Sequence, residues 1–123
     1  MADRRPIRQG DVYWIDDFPP LHGELAKRRP VVVVSTPEML KRGEIVVVVA
    51  CTSSALPSDA EAIELPNTAR TPQARSGLNR RTWAVPSWWL ATRRERLTDY
   101  AGFIRGDVLR RVVAAAWEHI GRE

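Results

Sequence analysis

In Gly23-Glu24-Leu25-Ala26-Lys27-Arg28-Arg29-Pro30 a carboxylate is followed by three cations, and the stretch runs straight into Val31-Val32-Val33-Val34-Ser35. The apolar run reads as a core strand and the residues before it as a short loop. Arg29, just upstream of that strand, is expected to be held in place. A fixed guanidinium can grip a phosphate through two parallel hydrogen bonds. The plainer alternative is a surface salt bridge between Glu24 and its basic neighbours, an interaction worth little. His22, just upstream, has an ordinary pKa near 6.5 that suits proton transfer at neutral pH, although a lone loop histidine is more often simply exposed. No His, Cys, Asp and Glu cluster with metal-ligand spacing is present, so the expected chemistry needs no metal or other cofactor.

Charge points to a polyanionic partner. Residues 1–65 sum to −2 and residues 66–123 to +6, and 17 of the 19 basic residues are arginine. An arginine-rich half together with five tryptophans fits nucleic acid, whose bases can stack on rings. A compositional habit of the source genome would give the same count. The 123 residues suffice for one domain with one core, spanning 1–123, with 1–9 as a loose basic arm. No apolar run is long enough for a membrane helix, and nothing resembles a secretory signal. A single cysteine, Cys51, fits a reducing cytoplasm. It reads as a small buried side chain.

The elements that must hold these groups follow from punctuation and period. Val12-Tyr13-Trp14-Ile15-Asp16, Val31 to Ser35 and Ile45 to Cys51 read as strands, the last two apolar on both faces. Between them Thr36-Pro37-Glu38 through Gly43 carries the signals of a short helix. Glu61 to Leu65 is expected to be a fourth strand. Residues 66–77 have no period, and Arg70 and Arg75 there suggest a flap over a polyanion. Strands are predicted again at 80–85, around Trp88-Trp89-Leu90, and at 101–105. A terminal helix is predicted from an Asp107 cap to Gly121, with Val108, Leu109, Val112, Val113, Ala116, Trp117 and Ile120 on one face, lying across a barrel mouth. Short connections between apolar strands favour a curled β-structure over βαβ units.

In this order the pieces resemble the MazF/PemK family of toxin endoribonucleases. The carriers are Gly10-Asp11-Val12-Tyr13-Trp14-Ile15-Asp16; Glu24 followed by Arg29-Pro30 and the valine run; Val48-Val49-Ala50-Cys51-Thr52-Ser53; and Gly77-Leu78, Arg96-Leu97 and Gly102 before the last helix. The resemblance covers roughly residues 9–121. It implies a mainly β (α+β) fold: an SH3-like small β-barrel with a short inserted helix and a C-terminal helix. It also implies a homodimer, metal-independent cleavage of single-stranded RNA to a 2′,3′-cyclic phosphate, and neutralisation by a small acidic MazE-like antitoxin. Arg29 and Thr52 match the family's catalytic positions and Glu24 its associated acid. Val85 and Ser87 stand where some members carry Arg and Asp, and Pro86-Ser87-Trp88-Trp89 replaces a polar segment. The base-reading surface is therefore expected to differ.

On that reading Arg29 stabilises charge on the phosphorane or passes a proton through the same contact. Thr52 offers a hydroxyl, and Glu24 or His22 serves as base, Glu24 alternatively orienting Arg29. Lys27, Arg28, Ser53, Arg70, Arg75, Arg80 and Arg81 are candidates for the RNA backbone, and Trp88 or Trp89 for base stacking, with core packing or a dimer contact an equal alternative for either tryptophan. Trp14, Trp83 and Trp117 are assigned to core or interface. Two other readings are a CcdB-like toxin that binds a topoisomerase and a non-catalytic RNA-binding barrel. A topoisomerase poison has no need of a phosphate clamp.

Overall fold

Two valine-rich runs set the architecture, because a strand apolar on both faces must lie inside a sheet covered on both sides. The computed structural model describes residues 5–19, 27–54 and 61–122. Strands β1 (Asp11–Phe18), β2 (Lys27–Val33), β3 (Ile45–Thr52), β4 (Ile63–Glu64), β5 (Trp83–Arg93) and β6 (Asp99–Phe103) form one antiparallel sheet of order β4-β5-β3-β2-β1-β6. Helix α1 (Pro37–Arg42) joins β2 to β3, and α2 (Asp107–Gly121) closes the chain. No helix among the described residues is long and apolar enough to cross a membrane.

Val12, Val32, Val34, Val47 and Val49 pack on one face with Val112 and Ala116 of α2. Val31, Val33, Val46, Val48 and Ala50 pack on the other with Tyr13, Ile15 and Trp88. Each fully buried valine contributes roughly 1.5–3 kcal/mol. Helix α2 lies over the first face, against β5 and β4, where a position across a barrel mouth was expected. Trp117 secures it by donating its indole N–H to the Val34 carbonyl at 2.9 Å. Its N-cap is Gly106 at φ 73, with no side-chain cap; Asp107, expected as the cap, is the first helical residue and pairs with Arg110. Thr36 does cap α1, accepting from the Met39 N–H at 3.2 Å.

Three departures from the expected boundaries involve proline or turn chemistry. Strand β2 begins at Lys27, four residues early, so Arg29 lies within a strand opposite Ile15 and Pro30 opposite Trp14. Pro30 is tolerated because the β2–β3 pairing starts at Val31, and no ladder bond to β3 is lost at the proline. The two strands expected around residues 80–90 are one, β5. Its register slips between Cys51↔Ala84 and Val49↔Trp89, and Pro86 and Ser87 sit in that irregularity, where a proline is allowed.

The third departure is the segment expected as a flap. Ser76 donates to the Pro66 carbonyl at 2.6 Å, the Thr68 N–H to the Leu78 carbonyl at 2.9 Å, and the Phe103 N–H to the Arg75 carbonyl at 2.9 Å. Residues 66–78 thus bridge the edge strands β4 and β6 and close the sheet. Two glycines make this closure fit: a Cβ on Gly77, at φ +78, would meet the Ala101 carbonyl oxygen at 2.1 Å, and one on Gly102 the Arg75 carbonyl oxygen at 2.1 Å.

The described part of the arm is also tied down. The Arg8 N–H donates to Asp11 Oδ2 at 2.9 Å, Gln9 Nε2 to the Val34 carbonyl at 3.4 Å, and Ile7 packs on the core.

Gly102→Ala should cost about 1–3 kcal/mol, because the clash is with backbone that cannot rotate away; thermal denaturation would read it as a fall in Tm. Asp11 gives a pH test. Burial lifts its carboxyl above the usual aspartate value, against the opposing Arg8 N–H and the charges of Arg8 and Arg5. A carboxyl raised on folding holds its proton better in the folded chain, so its contribution to stability is lost as pH rises through the folded value. Asp11→Asn should therefore raise Tm at neutral pH, with the gain fading well below the ordinary aspartate pKa of about 3.9.

Candidate functional site

Where β2 and β3 run together they present side chains to common faces. The pairing Val31↔Ala50, carried two residues on, sets Arg29 across from Thr52. Both line a cleft of about 370 Å³ whose other wall is the segment from Gly77 to Thr82. Lys27, Arg28 and Arg80 add positive charge, and Ser53, Ser54 and Thr82 add hydroxyls; among the described residues no carboxylate lines it. Cationic walls, hydroxyl donors and no acid make an anion site by composition.

Arg29 is only 3% exposed. Its Nη1 donates to the Cys51 carbonyl at 3.5 Å, a long bond, and its guanidinium carbon lies 5.3 Å from the Trp88 ring centroid. A desolvated cation over a tryptophan is stabilised by ~2 kcal/mol. Trp88 is thus the floor on which Arg29 rests. At 9% exposure, packed with Tyr13, Ile15 and Val85, its ring lies in the core, the alternative to base stacking that the sequence offered. Thr52, 4% exposed, accepts from the Ser54 N–H at 3.2 Å and lies 3.1 Å from the Ser54 hydroxyl. A short turn therefore fixes where its oxygen points. Glu24 and His22 lie outside the described residues.

The remaining candidates separate. Lys27, Ser53 and Arg80 are exposed on the cleft wall. Arg28 also lines it, but donates to Asp16 at 2.9 Å and Asp99 at 2.8 Å with its guanidinium 4.8 Å from the Trp14 ring centroid. Those two carboxylates, Asp99 first, push its pKa further up. Arg70 and Arg81 lie elsewhere, both on Glu64, whose carboxyl they hold below its usual range, Arg81 most strongly. Arg75 is exposed and belongs to the closing segment, off the cleft. Trp14, assigned from sequence to core or interface, is half-buried and lines the cleft beneath Arg28. Its pairing with Pro30 would have been the clue, had the strand been extended through the proline.

Among the described residues no group of three or more His, Cys, Asp and Glu is placed to hold a metal ion. Cys51 is fully buried beside the cleft, and burial pushes its thiol well above the ordinary range.

A family model described as "PemK-like, MazF-like toxin of type II toxin-antitoxin system" matches residues 8–119. No curated protein sequence matches. Among solved structures, MazF from Deinococcus radiodurans is similar at a TM-score of 0.69 and 19% identity, over 96% of this chain and 99% of that one. A MazE–MazF structure from the same organism is similar at a TM-score of 0.67 and 19% identity, over 98% and 100%. An endoribonuclease from a mycobacterial species is similar at a TM-score of 0.63 and 17% identity, over 95% and 93%. These likenesses carry the fold.

With a thiol this buried and a suppressed thiolate, the native protein should react with iodoacetamide far more slowly than the unfolded chain. Mass spectrometry of Cys51 with and without denaturant measures the ratio.

Proposed function

Because the chain belongs to the PemK-like, MazF-like toxins of type II toxin–antitoxin systems, we propose that it is an endoribonuclease that cuts single-stranded RNA without a metal. The observation that carries this reading is the shared cleft of Arg29 and Thr52, cationic and without a carboxylate among its described walls. In the proposed reaction a 2′-oxygen attacks the adjacent phosphorus and gives up its proton to a base. The phosphorus–O5′ bond breaks, the 5′-oxygen takes a proton, and a 2′,3′-cyclic phosphate and a 5′-hydroxyl remain. Arg29 faces the charge that builds on the non-bridging oxygens. Its attachment to β2 and its seat over Trp88 mean that little reorganisation is needed as that charge develops. Thr52 offers its hydroxyl to the same oxygens. Glu24 or His22 supplies the base.

Lys27, Ser53 and Arg80 meet the RNA backbone along the wall, and Trp14 offers a ring edge at the mouth. Arg28, bound to Asp16 and Asp99, contributes field more than contact. The protein acts in the cytoplasm as a homodimer and is held in check by a cognate acidic antitoxin. Solved relatives include MazE–MazF complexes and an endoribonuclease with its cognate antitoxin.

Thr52→Ala should lower cleavage about 10²–10³-fold, the usual loss of one donor to a developing oxyanion. Arg29→Lys should lose activity too, because an ammonium cannot reproduce two parallel bonds; circular dichroism would check that each variant folds. Mixed-sequence RNA incubated with the protein in EDTA, followed by mapping of the new ends, should yield cyclic phosphates. A strict requirement for Mg²⁺ would sink the mechanism, and binding without cleavage would favour an inert RNA-binding barrel.

A further inference from the structure

A second cleft, of about 400 Å³, shares no lining residue with the first. The described part of the N-terminal arm, β6 and the start of α2 form it. Three kinds of group meet there. Arg5, Arg8 and Arg105 supply positive charge, and among the described residues none of them forms an ion pair. Tyr100 and Phe103 supply ring faces, with the Arg5 guanidinium 3.9 Å from the Tyr100 centroid and that of Arg105 5.3 Å from the Phe103 centroid. Tyr100 is 36% exposed, unusual for so large a side chain here. Asp11 supplies a carboxylate 6% exposed, whose hydrogen-bond donor among the described residues is the Arg8 N–H.

Each group restricts the ligand. Three arginines around a single carboxylate, with no ion pair among the described residues, call for an anion, and guanidinium planes stacked on rings are surfaces on which bases stack. The carboxylate then discriminates. An acidic peptide would suit the arginines but bring like charge against Asp11. A ligand with an anionic end and a donor-bearing end suits both. Guanine carries two adjacent donors, N1–H and N2–H, on its Watson–Crick edge, which match the two oxygens of a carboxylate. Adenine and cytosine each set an acceptor beside one donor, and uracil sets carbonyls on both sides of its donor. The volume is also within the usual range for small-molecule sites, about 300–1,000 Å³.

We propose that this second cleft binds a guanosine phosphate unit, with arginines on the phosphate, the base on the ring and guanidinium surfaces, and Asp11 on the donor edge. The unit is either a free nucleotide or one unpaired guanosine of an RNA strand. The proposal does not rest on cleavage, since what it asserts is binding at residues outside the first cleft.

Calorimetry on the full chain with GMP, AMP, CMP, UMP and inorganic phosphate tests it. Backbone amide NMR would locate the site by shifts at Tyr100, Phe103 and Arg105. GMP should bind about tenfold tighter than AMP, the equivalent of one extra hydrogen bond to a charged group. Asp11→Asn should erase that preference, whereas Arg105→Ala should weaken every nucleotide alike. A 2′-O-methyl tetranucleotide with one guanosine, inert to 2′-oxygen attack, separates the sources: tighter binding than GMP assigns the site to RNA, and weaker binding to the free nucleotide. The proposal is overturned if the four nucleotides and phosphate bind equally, if Asp11→Asn keeps the guanine preference, or if the shifts appear only around Arg29 and Thr52.

Discussion

Burial on both faces of β2 and β3 is the constraint from which the other features follow. A sheet with no solvent side has to find covers, and the chain supplies α2 for one face and Trp88, Leu97, Ile7 and Leu40 for the other. Any polar group carried on these strands is therefore either at a strand end or in the core. Arg29 and Thr52 are the buried polar residues at those ends, whereas Lys27 and Arg28 beside Arg29 are exposed. A buried guanidinium is expensive unless its surroundings replace water. Here the Cys51 carbonyl and the Trp88 ring are two of the groups that do so.

Arg28 and Arg29, adjacent in sequence, have opposite circumstances because alternate residues of a strand face opposite sides. Arg28 reaches outward to Asp16 and Asp99 and links β1, β2 and β6 through exposed ion pairs of small individual worth. Arg29 turns inward. The irregular register of β1 between Ile15 and Phe18, with Asp17 at φ 54, accompanies the placement of Asp16 beside Arg28. One dipeptide thus serves both the wall and the floor of the same cleft.

Much of this was readable from residue order. Two valine runs specify central strands, Thr36-Pro37 through Gly43 specify a capped turn of helix, and the spacing from Val108 to Ile120 specifies an amphipathic helix. What could not be read were the positions where tertiary contacts override local rules. Pro30 and Pro86 look like strand breakers, yet one lies just beyond a ladder and the other in an irregularity. Residues 66–77 lack period because their hydrogen bonds go to β6 and to each other, not because they are loose. Trp88 lies in the core and Trp14 at the cleft because a tryptophan's exposure depends on which strand lies over it. The arginines of the basic half are similarly divided, Arg70 and Arg81 held by Glu64 while Arg80 faces the cleft.

The Val34 carbonyl receives Gln9 from the arm and Trp117 from the final helix, so the arm and the helix meet at one atom just past the end of β2. Peeling α2 away would strip that carbonyl of one of these two donors and bare the apolar face bearing Val12, Val32 and Val49. Docking of the arm and docking of the helix are thereby linked through a single oxygen.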